Sequence, residues 1–280
     1  MSRVDEPRFF VPETAASRPF APGLVTLVGA GPGDPELLTM KAMRAMAQAR
    51  LVLYDHLVSP DILALLPHRA KRVYVGKESG HHSMSQEAII ERMVSLAQSG
   101  HSLLRLKGGD PHIFGRGGEE AQALAAAGVP FVVIPGISAA QAASAATGIP
   151  LTHRDHACSL VLTTGHLRAG PDGGRSAGLD WAQLARPRQT VVVYMGLAAL
   201  PEISQQLIAH GLAGDTPAAL IENASLPAQR CVRGTLATLP RLAQEAEVRS
   251  PALLVIGTVV TLHDALREAL AAGLARARQA

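Results

Sequence analysis

Short runs of Val, Leu and Ile recur along the chain, separated by stretches in which apolar residues fall three or four apart. Residues 24–28, 51–54, 72–75, 102–106 and 130–134 read as strands. Between them, Leu38, Ala42, Ala45 and Ala49 keep helical spacing. So do Ile89, Ile90, Met93, Val94 and Ala97, which follow Ser83 and Gln86 as a capping-box pair and stop at Gly100. A second series of strands falls at 159–163, 190–194, 218–222, 229–234 and 252–260, with helical patterns at 197–210 and 236–246. Strand alternating with helix predicts an α/β fold, and two such series predict two α/β domains. Pro135-Gly136 and Gly148-Ile149-Pro150 bracket an alanine-rich helix, and the composition turns polar at Thr152, so the junction falls near 148–154. The organisation expected is a tail at 1–22, an N-terminal domain at 23–150, a C-terminal domain at 151–262 and a helix or tail at 263–280.

Composition narrows what such a pair of domains does. A length of 280 residues suits one large or two modest domains. The chain is 48% apolar yet 3% aromatic, which disfavours base stacking on rings. Twenty-six Lys and Arg against 23 Asp and Glu give +3 with no basic run, so no nucleic-acid partner is expected. Cys158 and Cys231 stand far apart, which supports neither a disulfide framework nor a CxxC metal site and fits a reducing, cytoplasmic setting. Residues 121–153 carry no charge, but Pro130, Pro135, Gly136, Gly148 and Pro150 interrupt them, so buried loop, strand and helix are expected there, not a membrane span. The glycine-rich stretch 164–180 is too long for a plain connector and reads as either a lid or a surface loop.

Two loops carry the chemistry. The first strand runs into Gly29-Ala30-Gly31-Pro32-Gly33-Asp34-Pro35, where glycines permit tight turning, Asp34 can cap a helix and Pro35 suits its first position. A dinucleotide fingerprint would place glycine at Asp34, whose carboxylate would repel a pyrophosphate; no GxxxxGK followed by Ser or Thr occurs either. The second loop, at 105–120, packs five glycines with Asp110, Arg116, Glu119 and Glu120 after another strand. Bare backbone there would let a flat ligand lie close, while Arg116 offers a planar fork to acidic groups. His153 and His156 have HxxH spacing without further ligands nearby, and no metal is expected.

GAGPGDP at 29–35, LYDHLVS at 53–59, VGK at 75–77, LKGGDPHIFGRGGEE at 106–120, PGISAA at 135–140, GIPLTHRD at 148–155, TTGH at 163–166 and YMG at 194–196 resemble the uroporphyrinogen-III C-methyltransferases, in order and from about residue 23 to 262. The resemblance implies a two-domain tetrapyrrole methylase fold, S-adenosylmethionine in the interdomain cleft, and a homodimer. Cofactor contacts implied are Pro32, Gly108, Gly109, Asp110, Ile113, Ser138, Ala139, Met195 and Ala224. Ser138 stands where the family usually has Thr, keeping the hydroxyl, and Ala224 stands where relatives can carry glycine. On spacing alone, Met195 reads as a core filler after a buried strand.

The activity implied is C-methylation of uroporphyrinogen III at C2 and C7 to precorrin-2, feeding sirohaem, cobalamin or haem d1 synthesis. An electron-rich pyrrole carbon takes a sulfonium methyl, and a proton must then leave. Alignment would contribute about 7 to 11 kcal/mol, and acid–base help about 10² to 10⁴ in rate. Asp55 and Lys77 resemble the family's acid and base; Arg116 has also been assigned proton abstraction there, but a guanidinium is never neutral and suits a carboxylate clamp better, with Glu119 holding it. A substrate with eight carboxylates calls for cations in the cleft, and Lys77, Arg116, Arg154 and His166 stand in the motifs, with His81, His82 and His153 beside them. The alternatives are a methylase of the same fold for a later precorrin, ribosomal RNA or a modified histidine, and a non-catalytic nucleotide sensor that needs neither Asp55 nor Lys77.

Overall fold

A computed structural model describes residues 21–76, 84–166, 168–169, 175–176 and 178–277. Lys77, His81, His82 and Ser83 lie outside the described residues, as does part of the 164–180 stretch. Strands β1 (Val25–Gly29), β2 (Leu51–Tyr54), β3 (Lys71–Tyr74), β4 (Leu103–Lys107) and β5 (Phe131–Ile134) form a parallel sheet in the order β3-β2-β4-β1-β5. All five lie within one residue of the runs expected. Helices α1 (Met40–Gln48) and α2 (Pro60–Ala64) bury Met46 and Ile62 against Val28, Val52, Leu104 and Leu106 on one face. On the other face α3 (Gln86–Gln98) and α4 (Gly117–Ala126) bury Met93 and Leu124 against Leu27, Leu53 and Leu103. Alternate residues of β1, β2, β4 and β5 thus enter opposite cores, as a sheet covered on both faces requires. The cap of α3 is Ser85, whose side chain accepts from Ala88 N–H, and not the expected Ser83. Gly100 follows that helix at φ 86°, a conformation open to glycine.

The second sheet is mixed. It comprises β6 (Ser159–Thr164), β9 (Gln189–Tyr194), β10 (Pro217–Glu222), β11 (Arg230–Thr235) and β12 (Ala252–Ile256) in the order β11-β10-β12-β9-β6, with β6 parallel to β9 and the other pairings antiparallel. Two short strands, β7 (Arg168–Ala169) and β8 (Arg175–Ser176), pair within the glycine-rich stretch. Helices α6 (Trp181–Leu184), α7 (Leu200–Ala209) and α8 (Leu239–Glu245) cover one face through Leu184, Leu200, Leu207 and Leu239. The expected strand at 252–260 stops at Ile256, because Gly257 turns the chain at φ 136° into a 3-10 turn over Thr258–Thr261.

Helix α5 (Ala139–Thr147) covers the other face of this second sheet: Ala140 and Ala143 pack on Val192, Ala219, Ile221 and Val255. The junction expected near 148–154 therefore marks where α5 ends, at left-handed Gly148, while the apolar cores divide ahead of it, between β5 and Ser138. Small alanine side chains let the helix lie close on the sheet, and that packing decides which core it joins. The C-terminal helix α9 (Leu262–Ala277) is anchored by Arg233 Nη1 to Asp264 Oδ2 (2.8 Å).

Candidate active site

In an open parallel sheet, ligands bind beyond the carboxyl ends of the strands, where neighbouring connections leave for opposite faces. The chain after β1 runs to α1 on one face and the chain after β4 runs to α4 on the other, which puts this crevice between β1 and β4. The two loops are tied together there: Gly31 N–H donates to Gly109 O (3.1 Å) and Gly109 N–H donates to Gly31 O (2.6 Å). The loop after β5 joins them through Gly136 N–H, which donates to Asp110 Oδ2 (3.1 Å). Only bare backbone fits this weave, since a Cβ on Gly136 would stand 2.3 Å from Gly109 O and one on Gly29 would stand 2.5 Å from Gly136 N. The repeated Gly-Asp-Pro serves two purposes. Asp34 caps the 3-10 turn over Pro35–Leu37 by accepting from Glu36 N–H, while Asp110 braces the loops, its Oδ1 accepting from His112 N–H (2.8 Å).

The second domain supplies the facing wall. Strands β6, β9 and β10 all end at one edge, which carries His166, Tyr194, Met195 and Ala224. Tyr194 Oη accepts from Ala140 N–H at the start of α5 (3.1 Å), and the Phe114 ring packs on Tyr194 with centroids 4.7 Å apart. Leu226 fills the space beside Gly33, 2.9 Å from where a Cβ would stand. Pro32, Gly108, Gly109, Asp110, Ile113, Ser138, Ala139, Met195 and Ala224 lie in the segments that follow β1, β4, β5, β9 and β10, at the carboxyl ends of the strands. Ser138 caps α5, with its hydroxyl accepting from Gln141 N–H (3.3 Å) and Gln141 Oε1 accepting from Ser138 N–H (3.0 Å).

Met195 is 52% exposed at φ 53°, so the reading of it as a core filler is corrected: it is an apolar side chain held out of the core. Phe114, Arg116, Asn223 and Ser225 also adopt positive φ, and strained backbone of this kind collects where a ligand must be met. The Ser225 hydroxyl is buried with no protein partner. A glycine-lined backbone edge, an exposed thioether and an unpaired hydroxyl together fit a ligand with a flat adenine ring and a polar amino-acid arm.

Charged groups divide into three sets. Arg116 and Glu119 form the expected pair, Nε to Oε1 at 2.9 Å and Nη2 to Oε2 at 2.6 Å, on the exposed first turn of α4. The hydrogen bond with Arg116 holds the Glu119 carboxyl below its ordinary value, and Glu119 in turn holds Arg116 above its own. Asp55, at the end of β2, is not free: Oδ2 takes Arg105 Nη2 (3.1 Å) and Oδ1 takes Leu57 N–H (3.2 Å). Behind it Arg105 Nε (3.2 Å), Lys107 Nζ (3.0 Å) and Gln86 Nε2 (3.2 Å) all donate to Glu120 Oε1, whose buried neighbour Oε2 has no partner. Burial, and then the Arg105 charge, push Lys107 below its ordinary value. These buried residues escaped sequence reasoning, although charges at alternate positions of a central strand were a usable signal.

Arg154 and His166 are the third set, and the structure separates them. Arg154 lies in the turn between His153 and Ala157, beside Arg188, whose Nη2 donates to Arg154 O (2.7 Å). That is the amino end of β6, whereas His166 follows its carboxyl end next to the cleft. The length of β6, about 16 Å, intervenes, so Arg154 does not join the other expected substrate contacts within this chain.

The fold is that of an α/β protein with two sheets and glycine-rich loops at the carboxyl ends of the first. Residues 24–240 match the family Tetrapyrrole (Corrin/Porphyrin) Methylases, and the chain belongs to that family. The uroporphyrin III C-methyltransferase of Thermus thermophilus is 40% identical, with a TM-score of 0.72 over 86% of this chain and 94% of that one. Its complex with S-adenyl homocysteine is 41% identical, with a TM-score of 0.72 over 86% of this chain and 100% of that one. The siroheme synthase of Pseudomonas fluorescens (strain SBW25) is 52% identical over 93% of this chain and 55% of its own length. That of Nitrosospira multiformis is 54% identical over 87% of this chain and 51% of its own. The chain thus spans about half the length of the siroheme synthases it matches.

Proposed function

We propose that the protein is an S-adenosylmethionine-dependent methyltransferase that methylates uroporphyrinogen III at C2 and C7 to give precorrin-2, for sirohaem or a related tetrapyrrole. The observation that carries this reading is the woven glycine edge of β1, β4 and β5, which meets the second domain where Phe114 packs on Tyr194 and Leu226 lies beside Gly33. Likeness to a uroporphyrin III C-methyltransferase along nearly its whole length supports the substrate. S-adenosylmethionine, when bound, supplies an electrophilic methyl group on a sulfonium.

The chain's own residues do the rest. Gly108 and Gly109 offer backbone to the cofactor, Ser138 and Ala139 present the start of α5, and Met195 covers it with an apolar surface. Arg116 receives a substrate carboxylate through its planar fork, and Glu119 keeps that fork oriented until then. Asp55 stands beside the glycine loop, since the turn that follows it places Leu57 Cβ 2.5 Å from where a Cβ of Gly108 would stand. It accepts the proton that must leave the methylated ring, with Lys77 expected to assist. His166 adds a polar contact at the mouth. The assembly is a cytoplasmic homodimer on the strength of the family likeness; among the described residues no helix is long and apolar enough to cross a membrane.

Anaerobic incubation with S-adenosylmethionine and fresh uroporphyrinogen III, followed by mass spectrometry, tests the proposal. Gain of two methyl groups is expected. An unmodified tetrapyrrole, with cofactor binding intact by calorimetry, would move the activity to another acceptor.

A further inference from the structure

The central strand of the first sheet carries Arg105 and Lys107, two residues apart and therefore on one face, directed into the layer formed by α3 and α4. There they meet Glu120 from α4 and Gln86 from α3. The side chains of Arg105, Lys107 and Glu120 are 3%, 4% and 0% exposed, whereas Asp55 is 19% exposed. Two cations and two carboxylates are thus gathered with a single partly open end, and that end is Asp55. Burying such a set is a poor way to stabilise a core: each ion loses its hydration, and apolar residues of equal volume commonly do as well or better. Here the set leaves Glu120 Oε2 without a partner as well. What it does achieve is directional. Arg105 is fixed at three points, by Glu120 Oε1, by Leu106 O (3.0 Å) and by Asp55 Oδ2, so its planar guanidinium has one orientation. Asp55 is fixed between that guanidinium and Leu57 N–H, in the turn that rests on Gly108.

We infer that Arg105 is a positioning residue for Asp55 and that Glu120 anchors Arg105, so that α4 sets the place of the proton-accepting carboxylate from beneath the glycine loop. The charged groups facing this set are Asp55 from β2, Arg105 and Lys107 from β4 and Glu120 from α4, with Arg116, Glu119 and Glu87 at its outer rim. The inference rests on the reading of Asp55 as proton acceptor, and the test separates the two.

Turnover and KM are measured for Arg105→Lys, Asp55→Asn and the double variant, alongside calorimetric affinity for S-adenosylhomocysteine. Lys keeps the charge but not the three-point fork. Arg105→Lys is expected to lower kcat about tenfold or more, with KM and S-adenosylhomocysteine affinity within about twofold of the parent. The double variant is expected to be no slower than Asp55→Asn, because both changes act on one group. Full turnover in Arg105→Lys beside a crippled Asp55→Asn would overturn the inference, as would effects that simply multiply. Full turnover in Asp55→Asn would overturn the reading of Asp55 itself, and the inference with it. If Arg105→Lys does not fold, Lys107→Met/Glu120→Met removes one buried charge of each sign and keeps the Arg105–Asp55 contact. Its kcat is expected to fall with S-adenosylhomocysteine affinity unchanged, and parental kcat would overturn the inference.

Discussion

The middle strands of the two sheets, β4 and β12, occupy the same place in their layers and are built from opposite materials. Strand β12 reads Ala-Leu-Leu-Val-Ile and feeds two apolar cores. Strand β4 reads Leu-Leu-Arg-Leu-Lys, is just as deeply buried, and directs its two cations into one core. The first domain gives up apolar packing beneath its loops, where Asp55, Arg116 and the glycine weave gather. The second keeps a plain apolar core and presents Met195 and Ala224 at its edge. Buried charge lies in the first domain; the second is packed with apolar side chains.

The largest effect expected from disturbing this contrast is at Gly136. Gly136→Ala drives a methyl into Gly109 O, and a loss of about 3 kcal/mol or more in denaturant midpoint analysis is expected together with loss of S-adenosylhomocysteine binding. Next comes the buried charge itself. Lys107→Met/Glu120→Met is expected to raise stability by about 1 to 4 kcal/mol while turnover falls, whereas Leu254→Ala in β12 is expected to cost about 2 to 5 kcal/mol and leave ligand affinity intact.

A pH titration sharpens the same point. With Lys107 held below its ordinary value when folded, the unfolded chain keeps its proton to higher pH. Stability of the parent should therefore rise as pH climbs through the alkaline range below the ordinary lysine value, relative to the double variant, which lacks the group. A flat difference between the two would refute the burial of Lys107 as a charge.

Smaller effects follow at the rim. Arg116→Lys loses the paired fork and is expected to slow turnover about 10- to 100-fold, while Lys71→Ala on exposed β3 leaves it unchanged. Equal rates would exclude the carboxylate clamp. Gly118→Ala is the smallest change: nothing lies within 4 Å of the added methyl, the site is helical, and a gain of about 0.5 to 1 kcal/mol is expected by thermal melting.

Much of this was legible in the chain because it is local. Hydrophobic periodicity located the ten main strands to within a residue or two at most ends, and glycine-rich loops at strand ends marked the cleft. The pairing of Arg116 with Glu119 followed from one helical turn of spacing. Non-local facts were hidden. Arg105 and Lys107 alternate with leucines as they would on a half-exposed strand, and only the helices packed on both sides of the sheet put both faces of β4 under cover. Glu120 lies beside Glu119 in sequence yet points inward, where the helix phase sends it. Arg154 stood in a motif with the rest, but α5 carries the chain away from the cleft before β6 returns it. The membership of α5 in the second core depends on packing that no spacing reveals.

Hydrogen–deuterium exchange with and without S-adenosylhomocysteine tests the shared cleft most directly. Protection is expected in five segments drawn from both domains: 29–35, 108–114, 136–140, 194–196 and 223–226. Protection confined to one domain, or none in these segments at saturating ligand, would contradict the account.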